Sequence, residues 1–177
     1  MIYGIKPGNN LKMISSRCGV SQKEVIQLDK EALFSKVSQW FEQTGLMATR
    51  VDDPQADFHF VASEPNLPPV EILHPKAESE YIVFAARVIL PEDLQKKYVG
   101  LSPEKRRKLV SEIRLRLLVM SLEFRIIGME TQIPTAFELY SRIFVEGGDP
   151  NRFWDTYVKI KSGLTLIISL FQDFLQA

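Results

Sequence analysis

YIVFAARVIL, Tyr81 to Leu90, is followed after a short linker by SPEKRRKLVSEIRLRLLVM, Ser102 to Met120. In the first stretch Ile82, Phe84, Ala86, Val88 and Leu90 alternate with Tyr81, Val83, Ala85, Arg87 and Ile89. A period of two predicts a strand. Both of its faces carry apolar groups, which predicts a central strand covered fully on one side and partly on the other. In the second stretch the period changes. Ser102 reads as an N-cap with Pro103 at the first helical position, and Leu109, Val110, Ile113, Leu117 and Met120 form one stripe of a helix ending near Leu122. The residues between, with Pro91 and Gly100, read as a linker.

Working outward, two more strands are expected before this pair. Phe58, Phe60 and Ala62 alternate with His59, Val61 and Ser63, and a Pro-rich turn separates them from Val70 to His74. Such short spacings favour antiparallel hairpins. A first helix is expected over residues 30–44, capped by Asp29 and stopped by Gly45, with Ala32, Leu33, Val37, Trp40 and Phe41 on one face. Residues 46–54 read as a connector. Residues 1–28 read as a weakly structured N-terminal extension with a short helix over 22–27, and 29–177 as a single domain.

Beyond the basic helix, Leu122 to Ile127 and Phe137 to Val145 are expected strands joined by a turn over Gly128 to Pro134. Gly147 and Gly148 break the chain, Asp149 caps, and Pro150 opens a long last helix. Phe153, Tyr157, Ile160, Leu164, Ile167, Phe171 and Phe174 run along it at helical spacing, and Trp154, Ile168 and Leu175 widen the stripe. The expected class is α+β, in the order α-βββ-α-ββ-α. Its antiparallel sheet packs against the first and last helices, and the middle helix carries a basic face.

Bulk properties exclude several function classes. The chain of 177 residues balances 22 basic against 22 acidic side chains, so nothing global points to a polyanion or a membrane surface. Cys18 is the only cysteine, which rules out an intrachain disulfide and suits a reducing cytosol. No run approaches the roughly 18 apolar residues of a membrane helix, and no signal peptide opens the chain. The expected location is the cytoplasm.

No catalytic constellation stands out. His59 and His74 lie on expected strands with Asp57 and Glu71 nearby, but no closely spaced His/Cys pair suggests a metal, and no cofactor is expected. No serine sits in a nucleophile elbow, and Gly147-Gly148 is flanked by Glu146 and Asp149, which suits a helix start better than a phosphate loop. The local anomaly is charge. Residues 96–116 carry eight basic side chains (Lys96, Lys97, Lys105, Arg106, Arg107, Lys108, Arg114, Arg116) against Glu104 and Glu112, whereas residues 52–80 carry a compensating net −6. No aromatics interleave with the basic run to stack bases, so a solvated helix face or a docking surface outweighs nucleic-acid binding.

The wording of the chain adds a resemblance. Trp40-Phe41, Asp57-Phe58-His59-Phe60, Ile72-Leu73-His74-Pro75, Ser102-Pro103-Glu104-Lys105, Glu112-Ile113-Arg114 and Ser141-Arg142-Ile143-Phe144 before Gly147 resemble a mainly archaeal family of small cytosolic proteins, known as a domain of unknown function. The element order is similar to the type III secretion chaperone-like fold. That resemblance covers roughly residues 30–175. It implies a binding module without an active site to transfer, since secretion chaperones pair as dimers and let a client segment wrap their surface. The resulting expectation is a non-enzymatic interaction or chaperone-like module that acts as a homodimer, with an unidentified protein partner. Its interaction surface is expected at Lys105, Arg106, Lys108, Arg114, Arg116, Trp154, Phe171 and Phe174. The rivals are a small enzyme or ligand-binding protein with a pocket near His59, His74 and Glu71, and a weak nucleic-acid binder using residues 105–116.

Overall fold

The computed structural model describes residues 22–77 and 80–176. Helix α1 (Gln22–Thr44) leads into strands β1 (Thr49–Val51), β2 (Ala56–Ala62), β3 (Val70–Pro75) and β4 (Tyr81–Ile89). Helices α2 (Glu92–Gly100) and α3 (Pro103–Val119) follow, then β5 (Glu123–Ile127), a 3-10 turn (Met129–Thr131), β6 (Ala136–Phe144) and α4 (Pro150–Gln176). The class is α+β as expected, with one six-stranded antiparallel sheet in the order β1-β2-β3-β4-β6-β5. The element order differs from expectation by an added strand and an added helix.

β1 lies in the expected connector, where Thr49-Arg50-Val51 is too short to show a period before Asp52-Asp53-Pro54 interrupts it. It forms only because β2 offers an open edge, with Arg50 opposite Phe60. α2 occupies the expected linker between Pro91 and Gly100. Pro91 sits at its N-cap position, Glu92 and Asp93 favour its first turn, and burial of Tyr98 anchors it. Helix α1 starts at Gln22, so Asp29 lies inside the helix and is not its cap. No Gly or Pro interrupts residues 22–44, and one Asp costs a helix interior only about 0.7 kcal/mol or less. Of the extension expected over residues 1–28, residues 22–28 fall within α1 and residues 1–21 lie outside the described residues. At the far end of α1, Gly45 adopts the left-handed φ of 67° that favours glycine as a helix stop.

β4 is central, between β3 and β6, and its buried residues are Ile82, Phe84, Ala86 and Val88, followed by Leu90. Its other face is half-buried at Tyr81, Val83 and Ala85. Helix α4 packs on β6, β4 and β3 and is flanked by α1, α2 and α3. Asp149 caps it, its Oδ1 accepting from the backbone N–H groups of Asn151 (2.9 Å) and Arg152 (3.0 Å). At the centre, the Phe153 ring meets Phe41 at 5.0 Å, Phe84 at 5.2 Å and Trp40 at 5.6 Å, joining α1, α4 and the sheet. Helix α3 ends at Val119, one turn short of the expected Leu122. It is also more than a basic face, because Leu109, Val110, Ile113 and Leu117 are buried against the same core. Met120, expected in that stripe, is half-buried.

Candidate functional site

The histidines are separated by the sheet. His74 follows the buried parity of Val70 and Ile72 on the helix side, stacked on Phe58 at 5.5 Å. His59 lies on the other face, opposite Leu73. The pocket expected near His59, His74 and Glu71 therefore does not form around both rings. The alternation of β2 and β3 places a residue of odd number and one of even number on opposite faces. Among the described residues no group of three or more His, Cys, Asp or Glu side chains is arranged to hold a metal ion.

Each histidine has its own carboxylates. A register shift between Ala56 and Phe58 bulges β2 and releases Asp57 from the ladder. The Asp57 carboxylate then bridges His74 Nδ1 at 3.0 Å and Lys30 Nζ of α1 at 2.8 Å. Burial pushes the Asp57 carboxyl up, but the hydrogen bonds and charges of Lys30 and His74 together outweigh it and hold it below the ordinary value. The bridge ties α1 to the β2–β3 pair. On the other face, His59 Nδ1 lies 3.2 Å from Asp53 Oδ2. Its buried Nε2 has no hydrogen-bond partner and stands 3.7 Å from Glu71 Oε2. A second latch joins Glu64, in the β2–β3 loop, to α4: Tyr157 Oη donates to Glu64 at 2.7 Å and Lys161 Nζ donates to its other oxygen. The Lys161 and Tyr157 hydrogen bonds hold the Glu64 carboxyl low. Burial, followed by the bond to Glu64, pushes the Tyr157 phenol well up.

The expected interaction surface divides into parts. Phe171 is buried, with its ring 5.7 Å from Phe137 and 6.2 Å from Tyr98, and Phe174 is half-buried against the same core. The wide stripe of α4 is consumed within the molecule, because helices flank it as well as the sheet beneath. Of the three aromatics Trp154 is the exposed one, beside exposed Val158 one turn on. Lys105 and Lys108 are exposed, and Arg116 Nε pairs with Glu112 at 2.6 Å. Arg106 and Arg114 instead turn toward a cavity of about 500 Å³ that they share with Arg107, Tyr98, Met129 and Gln132.

Sequence reasoning missed a different feature of α3. Leu115, Leu118 and Val119 are 59%, 63% and 78% exposed and share one outward face at three- and four-residue spacing. The signal was visible as apolar residues lying off the Leu109–Ile113–Leu117 stripe. A helix apolar on two sides needs a second partner for its outer side.

The fold is α+β, a six-stranded antiparallel sheet with helices packed on it. Residues 33–171 match the family described as "Uncharacterized conserved protein (DUF2299)", and the chain belongs to that family. A crystal structure of an uncharacterized protein from Methanothermobacter thermautotrophicus is similar in fold, with a TM-score of 0.72 at 20% identity. That likeness covers 80% of this chain and 97% of the archaeal one. A weaker likeness, TM-score 0.46 at 12% identity, is to the heterodimeric complex ExoU-SpcU from the type III secretion system of Pseudomonas aeruginosa, over 76% of this chain and 96% of that one. No curated protein matches the chain.

Proposed function

We propose that the protein is a non-enzymatic interaction module of the cytoplasm, chaperone-like in its way of working, that acts as a homodimer and binds a protein partner. The observation that carries this reading is the exposed aliphatic row Leu115, Leu118 and Val119 on α3. Isolated exposed apolar side chains are ordinary, but three on adjacent turns of one face form a contiguous patch of the kind that marks an interface. Covering one such side chain is worth about 1.5–3 kcal/mol, enough for the row to drive association if shape permits. The histidines support the non-enzymatic part, since they sit on opposite faces of the sheet and each contacts its own carboxylate. No helix among the described residues is long and apolar enough to cross a membrane.

Size-exclusion chromatography with light scattering, run over a range of concentrations, tests the dimer. The wild type should have the mass of two chains and Leu118→Asp that of one, with unchanged circular dichroism. A wild-type monomer at every concentration removes the dimer. A dimer that survives Leu118→Asp removes α3 as its seat.

A further inference from the structure

The cavity between α2, α3 and the 3-10 turn has a composition that neither dimerisation nor the core explains. Arg106, Arg107 and Arg114 line it along α3, Tyr98 closes it from α2, and Met129 and Gln132 close it from the far side. Spacings of seven and eight residues bring the three guanidinium-bearing positions onto one side of the helix. Among the described residues no carboxylate lines the cavity and none of the three arginines makes an ion pair. The nearby acid Glu112 is already engaged by Arg116. Arg106 is half-buried, and its Nε is buried without a hydrogen-bond partner. A buried guanidinium N–H left unmatched by the protein's own groups is costly, and no neighbouring side chain offsets that cost here.

The geometry points to a binding site for a small phosphomonoester. Three planar guanidinium forks exceed what one carboxylate takes, because a carboxylate offers two oxygens to a single bidentate arginine. A terminal phosphate offers three oxygens and close to two negative charges near neutral pH. The cavity volume lies within the range of small-ligand sites, about 300–1,000 Å³. Val110, Met129 and the Tyr98 ring supply an apolar wall for the organic part of the ligand. A nucleic-acid backbone is less well matched. Lys105 and Lys108, the charges a long polyanion would follow along the helix, lie outside the cavity, and its lining is concave and local.

Phenyl phosphate is the probe, titrated into the full chain by calorimetry and by amide shifts in NMR. One saturable site per chain is expected, with shifts concentrated in α2, α3 and residues 129–132. Arg114→Gln, at an exposed position that folding tolerates, should weaken it by about tenfold or more, as loss of a charge-assisted bond predicts. Arg106→Lys should weaken it although the charge is kept, because the fork is lost. Lys105→Gln with Lys108→Gln should leave it unchanged. Absence of saturation overturns the site. Equal weakening by the two lysine changes replaces it with a diffuse basic surface, and tighter binding of an oligonucleotide or an acidic peptide than of phenyl phosphate overturns the ligand class.

Discussion

Gly163 lies in the middle of α4, where helix propensity alone favours alanine by about 1 kcal/mol. The tertiary structure opposes that gain. A Cβ at Gly163 would stand 2.7 Å from Leu122 Cδ1 and 2.8 Å from Leu139 Cδ1, with Leu117 Cδ2 at 3.5 Å. Carbon atoms sit comfortably at about 3.5–4.0 Å, so two contacts must open by about 1 Å. The offending atoms are side-chain ends, but Leu122 and Leu139 are buried in a close-packed core and cannot swing away freely. Adding a methyl to such a core costs about 1–3 kcal/mol, so Gly163→Ala should be neutral to about 2 kcal/mol destabilising after the propensity gain. For a chain of this size that is a fall in Tm of up to about 8 °C. Gly100→Ala is the control, because nothing lies within 4 Å of a Cβ there, and it should be neutral or mildly stabilising. Urea unfolding followed by circular dichroism at several temperatures measures both. Combining Gly163→Ala with Leu122→Val should cost less than the sum of the two changes, since the second makes room for the first. A Gly163→Ala protein stabilised by about 1 kcal/mol, the full helix-propensity gain, would refute the close approach of α4 to the sheet.

Two further expectations concern ties and caps. The Asp57 carboxyl is held below its ordinary value of 3.8, so its contribution to stability is complete above that pH and is lost as the pH falls through the lower, folded value. Unfolding midpoints measured from pH 6 down to pH 2 should therefore drop below pH 4, and Asp57→Asn, less stable near neutrality, should show a shallower drop. An equally steep drop in the variant would place the acid sensitivity elsewhere. Asp149→Ala removes the acceptor for two N–H groups at the start of α4 and should cost about 0.5–2 kcal/mol in urea unfolding, while Asp149→Ser should recover most of it.

How much was legible divides along a physical line. The alternation in residues 81–90 reports which side chains share a face, and a strand with two apolar faces has to be central; β4 is. The Ser102-Pro103 and Asp149-Pro150 starts were legible because caps are made by residues within one turn of each other. Helix α2 and strand β1 were not, since each is short and owes its existence to something distant: Tyr98 to the core, Thr49–Val51 to the edge of β2. The site followed the same division. The basic run of residues 96–116 was plain in the sequence, but which of its charges converge was not. Arg106, Arg107 and Arg114 share a cavity only because α2 and the 3-10 turn fold over that side of α3, whereas Arg116 finds Glu112 on its own helix.

By itself the sequence determined the α+β class, the central strand, the long amphipathic last helix and its family. Those depend on periods of two and 3.6 and on local caps, which are properties of neighbouring residues. It took the packed fold to show that β6 returns between β4 and β5, that the two histidines fall on opposite faces, and that Phe171 is core while Leu118 is surface. These depend on which apolar face meets which, and in a chain with more amphipathic stripes than one sheet face can cover, sequence spacing does not say which stripe is left outside.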